Sequence, residues 1–229
     1  MICTGAGLWA CSSVTPLYVQ TDKVEVNISA RQDEELEEFI QPYRDSLVKE
    51  MNEVIAWAES DFVNARPTGS LGNLVVDQTL DYVFSERLVE DKRYICIMNY
   101  GGLRAPIDKG PVTIGDVFRL MPFDNTLVLL KLPSENISEL VSFMKNSGGE
   151  PIGGFLINEN GFHLDDSAET GDTLYVITTD YLAGGGDNMK FLQHPYDKTD
   201  TRILIRDILI SQFREADTLR GNEEQRIKL

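Results

Sequence analysis

Three short stretches of this chain carry side chains that converge on one kind of chemistry. They are Asn99-Tyr-Gly-Gly-Leu-Arg-Ala-Pro-Ile107, Met121-Pro-Phe-Asp-Asn-Thr126 and Asp180-Tyr-Leu-Ala-Gly-Gly-Gly-Asp187. The first ends a hydrophobic run in an amide, two glycines and an arginine. Gly101 and Gly102 permit a close backbone approach, and Arg104 is a forked donor suited to phosphate or carboxylate. The second sets Phe123 and Asn125 in a loop stiffened by Pro122. The third passes from a strand into Tyr181, a glycine turn and Asp187. Each alone reads as an ordinary turn or a core plug. Together they offer two rings to sandwich a planar heterocycle, with about 0.5–1.5 kcal/mol from offset stacking per face. An amide can read the edge of that ring, and a carboxylate can accept both hydroxyls of a ribose. The glycine run lacks the spacing of a dinucleotide fingerprint, and no Walker pattern occurs.

The chain has 229 residues, enough for one substantial core or for one domain with a helical arm. Its 21 basic and 37 acidic residues give a net charge of −16. Such a surface repels phosphate backbones and anionic lipid and argues against nucleic-acid binding. A small phosphorylated ligand is compatible with it, because one or two aimed arginines act at short range while salt screens the rest. Cys3, Cys11 and Cys96 form neither a disulfide framework nor a metal knuckle. Cys96 reads as a small buried residue in a strand.

Hydrophobic periodicity supplies the elements that must carry these stretches. Leu36, Phe39, Ile40, Tyr43, Leu47, Met51, Val54 and Ile55 recur at three- and four-residue steps, predicting a helix from Asp33 to about Ser60 that kinks or begins near Pro42. Ser70 is expected to cap a second helix to about Leu88, Thr113 to open a short one through Leu120, and Ser134 to cap a fourth to about Lys145. A last helix is expected over Thr201–Glu215. Strands are predicted at Tyr94–Met98, Thr126–Leu132, Phe155–Ile157, Phe162–Leu164 and Leu174–Thr178. Without strict βαβ alternation the class is α+β.

In this order and at these separations, N-x-G-G-x-R-x-P-I, P-F-x-N and D-Y-L-A-G-G-G-D resemble the C-terminal domain of the 5′-nucleotidase family, which includes UDP-sugar hydrolases. The Leu71-Gly-Asn-Leu-Val75 helix start and the terminal Arg226-Ile-Lys-Leu229 resemble that domain's edges. The resemblance covers about residues 35–229 and implies a mixed sheet with packed helices. It also implies roles. Phe123 and Tyr181 match the two stacking aromatics, with Tyr181 standing where the family usually has phenylalanine. Asp187 matches the ribose-binding carboxylate, and Arg104 the arginine near ribose and phosphates. Asn99 or Asn125 matches the base-reading amide, and Gly154 a backbone contact beside the base. Arg66 stands close to the arginine that precedes the L-G-N-L helix. Gly184 replaces the usual asparagine of the glycine turn.

The metallophosphatase motifs of the family (D-x-H, G-N-H-[DE], G-H-x-H) do not occur here, and only His163 and His194 are present. Two-metal phosphohydrolysis needs several ligands around ions about 3.5–4 Å apart. The resemblance therefore implies a nucleotide-binding specificity domain without catalytic residues. The two divalent metals are expected on a separate metallophosphatase chain. The alternative is a non-catalytic, lipid-anchored nucleotide-binding protein. Residues 1–11 end in Leu8-Trp-Ala-Cys11 and resemble a bacterial lipoprotein signal, which implies lipidation at Cys11 and a lipid-anchored or periplasmic place in the cell envelope. Residues 12–32 read as an extended lead-in and 33–229 as one domain.

Overall fold

The computed structural model describes residues 33–89, 93–165 and 171–228. The expected lipid site at Cys11 and the lead-in over 12–32 lie outside them. The chain divides into two units, Met1–Pro42 and Tyr43–Leu229. Helix α1 (Glu34–Met51) runs across that division and through Pro42.

The second unit continues as β1 (Val54–Ala58), α2 (Ser70–Ser85), β2 (Ile95–Ile97), β3 (Gly110–Thr113), α3 (Ile114–Leu120), β4 (Thr126–Pro133) and α4 (Asn136–Ser147). Then come β5 (Ile152–Gly153), β6 (Phe155–Asn158), β7 (Gly161–Leu164), β8 (Thr173–Thr179), α5 (Asp180–Ala183), β9 (Asp197–Leu204), α6 (Ile205–Ala216) and β10 (Thr218–Leu219). The architecture is α+β, as expected. Five strands form the central sheet in the order β5-β2-β8-β4-β9, β1 lies between β10 and β3 in a second sheet, and β6 with β7 forms a hairpin.

Strand alternation gives the central sheet two apolar faces. Ile95, Ile97, Val128, Leu130, Leu174 and Val176 share one core cluster with Leu140 and Met144 of α4 and Leu182 of α5. Cys96, Leu127, Leu129 and Ile177 share the other with Leu74, Val75 and Leu80 of α2 and Ile208, Leu209 and Phe213 of α6. Cys96 is fully buried, and burial pushes its thiol pKa far up, which leaves it an inert core residue.

Four expectations are corrected. The helical stripe stops at Met51; Val54 and Ile55 belong to β1, where a β-branched and aromatic sequence pairs with β3 and β10. Ser70 is not a cap: Gly69 precedes α2 without a side-chain cap, and the Ser70 hydroxyl instead accepts from the Val63 amide at 3.1 Å. Ser134 does not cap α4 either, whose N-cap position is Glu135. Thr201–Leu204 closes β9 and α6 starts at Ile205. The Thr113 expectation holds in full. Its hydroxyl accepts from the Asp116 amide and the Asp116 carboxylate accepts from the Thr113 amide, a reciprocal capping box.

Candidate functional site

Strand direction decides where the three stretches meet. β2 and β8 run parallel, with Ile95 opposite Val176 and Cys96 opposite Ile177, so both point their C-terminal ends the same way. β4 runs antiparallel to β8 with Leu127 opposite Thr179, so its N-terminal end lies at that same edge. The Asn99 turn leaves β2, the Phe123 loop enters β4, and Tyr181 and Asp187 follow β8. Three adjacent strands therefore deliver all three stretches to one end of the sheet. Thr178 Oγ1 fastens the edge by donating to the Ile97 carbonyl at 2.9 Å. The Asp180 carboxylate does the same by accepting from the Thr126 amide at 3.0 Å.

The result is a cleft of about 360 Å³ lined by Asn99, Gly101, Gly102, Arg104, Phe123, Asn125, Tyr181 and Asp187. Its size lies in the range of small-ligand sites. Phe123 is 44% exposed and Tyr181 47%, so both rings are open to solvent and neither is walled into the core. The two glycine requirements are local. A Cβ on Gly102 would come within 2.6 Å of Asn99 Oδ1, and one on Gly186 within 2.5 Å of the Tyr181 ring. Gly185, Asp187 and Asn188 adopt left-handed backbone, which folds the Asp187 carboxylate back over the cleft.

Asp187 is the hub. Asn99 Nδ2 donates to its Oδ2 at 2.7 Å and the Tyr181 hydroxyl donates to its Oδ1 at 2.8 Å. That second bond holds the Tyr181 phenol above its ordinary pKa. Each carboxylate oxygen keeps a further acceptor position, so a vicinal diol can bridge the pair. Arg104 stands exposed at the rim with Nη1 donating to the Gly101 carbonyl at 3.3 Å. These groups can stack a ring, accept from a diol and donate to an anion. Among the described residues no three His, Cys, Asp or Glu side chains cluster to hold a metal ion.

Two expected residues do not line this cleft. Gly154 lies between β5 and β6 at φ +79, and a Cβ there would stand 3.0 Å from the Tyr94 carbonyl; sheet packing explains the glycine. Arg66 lies behind the Asn99 turn, its guanidinium 4.7 Å from the Tyr100 ring centroid and 2.5 Å from Glu150 Oε1. Glu150 in turn accepts from the Tyr100 amide through Oε2 at 2.6 Å. Burial pushes the Glu150 carboxyl upward in pKa, opposed by the Tyr100 amide and Arg66. Asn64 completes the brace by donating from Nδ2 to the Tyr100 carbonyl at 2.9 Å and the Leu103 carbonyl at 3.3 Å. Neither Glu150 nor Asn64 stood out in the sequence. Glu150 carried one signal, a carboxylate between Gly148-Gly149 and Pro151; Asn64 carried none.

With this geometry in hand, the chain can be set beside known proteins. A model of the 5′-nucleotidase C-terminal domain matches residues 54–168, half of the chain. The chain belongs to that family. The match takes in the Asn99 turn and the Phe123 loop, while Tyr181 and Asp187 lie beyond it. Among relatives of this 5′-nucleotidase C-terminal domain, the trifunctional nucleotide phosphoesterase protein YfkN of Bacillus subtilis is 26% identical over 92% of the chain and 16% of its own length. Human 5′-nucleotidase is 24% identical over 63% of the chain and 31% of its own length. The structure of a 5′-nucleotidase precursor from Thermus thermophilus superposes with a TM-score of 0.65 at 26% identity, covering 87% of this chain and 44% of that one. The chain thus spans less than half the length of each of these three relatives.

Proposed function

We propose that this 5′-nucleotidase C-terminal domain binds the base and ribose of a nucleotide and presents its phosphate to a hydrolytic centre on a separate metallophosphatase chain. The observation that carries this reading is the meeting of Phe123, Tyr181, Asn99, Arg104 and Asp187 in one cleft. In it, the base stacks between the rings, the ribose diol donates to Asp187, and Arg104 faces the phosphate side. The contribution is positional, since fixing the reacting phosphate lowers the entropic part of the barrier without any chemistry by this chain. Two divalent metals sit on the partner, and an anchor at Cys11 holds both chains at the cell envelope.

Calorimetry with AMP, UMP, UDP-glucose and adenosine tests it. At least one should bind, and Phe123→Ala and Tyr181→Ala should each weaken that binding about two- to tenfold, the worth of one stacked face. Both variants should keep the wild-type melting temperature. Binding of none of the four, or unfolding of both variants, overturns the proposal. Phosphate release should appear only when the metallophosphatase chain is added.

A further inference from the structure

Arg206, the second residue of α6, lies outside the cleft and is only 8% exposed. A buried guanidinium is costly unless its donors are used, and two of its nitrogens are spent on a single loop. Nη2 donates to Asp124 Oδ1 at 2.7 Å, and Nη1 donates to the Met121 carbonyl at 3.4 Å. The Phe118 ring lies against the guanidinium, 4.2 Å from carbon to centroid. One residue earlier, the Ile205 amide donates to the Asn125 carbonyl at 3.0 Å. The start of α6 therefore holds Met121, Asp124 and Asn125, on both sides of Phe123. The Arg206 Nε is buried without a hydrogen-bond partner among the described residues. The side chain forgoes one bond while its other two nitrogens reach the loop.

We infer that Arg206 is a positioning residue for the Phe123 face of the cleft, holding the Met121–Asn125 loop so that the ring is presented before any ligand arrives. The ligand side of this inference rests on the nucleotide-binding reading proposed above. A loop ordered in advance does not have to be ordered on binding, and that saving appears as affinity. The arrangement calls for arginine. Two acceptors on one loop and an aromatic plane match a flat fork, whereas a lysine ammonium gathers its three donors at one nitrogen and cannot lie flat on the ring. Asp124 is 78% exposed at its side chain, so truncating it removes little packing, and the variant reads the loss of its bond to the buried Arg206.

The test uses Arg206→Met and Asp124→Ala in the full chain, each alone and combined with Phe123→Ala. Amide hydrogen exchange in the ligand-free protein reads the loop, and calorimetry with AMP reads the cleft. Both variants should speed exchange over residues 121–126 while β4 stays protected. Each should weaken AMP binding roughly three- to tenfold in the wild-type background and add nothing once Phe123 is alanine, the non-additivity expected of residues acting through one another. Unchanged exchange in both variants, or an equal loss of affinity in the Phe123→Ala background, overturns the inference. If Arg206→Met does not fold, Asp124→Ala gives the same two readings. If AMP does not bind, whichever of UMP, UDP-glucose and adenosine binds takes its place. If none of the four binds, the binding proposal fails and the exchange measurement alone decides the role of Arg206.

Discussion

The Tyr181 hydroxyl donates to Asp187 Oδ1 at 2.8 Å, and the Asp187 amide donates back to that hydroxyl at 3.3 Å. Tyr181, which lines the cleft, thereby also fixes the carboxylate beside it. Asn99 holds the other oxygen, so Asp187 is restrained from two sides. A restrained carboxylate discriminates better between a diol and a single hydroxyl, because it cannot swing to optimise one bond when the second is missing.

Tyr181→Phe keeps the ring and removes the tie. The variant should retain most of its affinity for AMP and lose about threefold in discrimination against 2′-deoxy-AMP, the worth of a modest hydrogen bond. Paired calorimetric titrations measure the ratio. An unchanged ratio would mean that Asn99 alone orients Asp187. Because the carboxylate holds the phenol above its usual value of 10.0, the wild-type ratio should stay flat from neutral pH up to that range.

Glu150 makes a pH prediction. Burial is the leading cause of its raised pKa, so the folded state holds this proton more tightly than the unfolded chain does. Its contribution to stability is therefore greatest below the ordinary value of 4.5 and is lost as pH rises through the higher folded value. Glu150→Gln removes that titration. The melting temperature of the variant minus that of the wild type should become more positive as pH is raised from about 4 to about 7. A difference that is constant or falls over this range contradicts the assignment.

How far the sequence reveals this site follows from which signals are local. Phe123, Tyr181, Asp187 and the Asn99 turn are legible because each sits within three residues of a glycine or proline near a strand end, and strand ends follow from apolar runs. Their convergence also needed the parallel pairing of β2 with β8, which no local pattern encodes. β9 was missed because its Asp197-Lys-Thr-Asp-Thr-Arg202 stretch is an exposed edge strand, where charge replaces apolar alternation. Val54 and Ile55 fell in step with the helical stripe although they pair in a sheet. Short apolar runs fit both periods, and tertiary pairing decides between them. Glu150 and Arg206 act through contacts 50 and 82 residues away in sequence, to Tyr100 and Asp124, and such contacts leave no trace in a local pattern.

The chain's final residues carry the last prediction. Arg226 is buried and holds Asp77 of α2 through Nη1 at 2.7 Å and Nη2 at 2.8 Å, Glu224 through Nε at 3.0 Å, and the Ile152 carbonyl of β5 through Nη1 at 2.9 Å. Asn73, in the Leu-Gly-Asn-Leu start of α2, donates to the carbonyls of Asn222 and Glu224 at 2.8 and 3.0 Å. The helix start and the terminal segment, the two edges of the family resemblance, are thus bonded to each other. Arg226→Met leaves the Asp77 carboxylate without its guanidinium, and it should cost about 3 kcal/mol, the low end for a broken buried pair because Asp77 is 31% exposed and still accepts from Asn222 Nδ2 at 3.1 Å. Urea unfolding should show a lower midpoint at unchanged slope. Adding Asp77→Leu to Arg226→Met should recover part of the loss, since the stranded Asp77 carboxylate is then gone. If the double variant is instead as unstable as the single one, the loss comes from the Ile152 and Glu224 contacts and not from the stranded carboxylate.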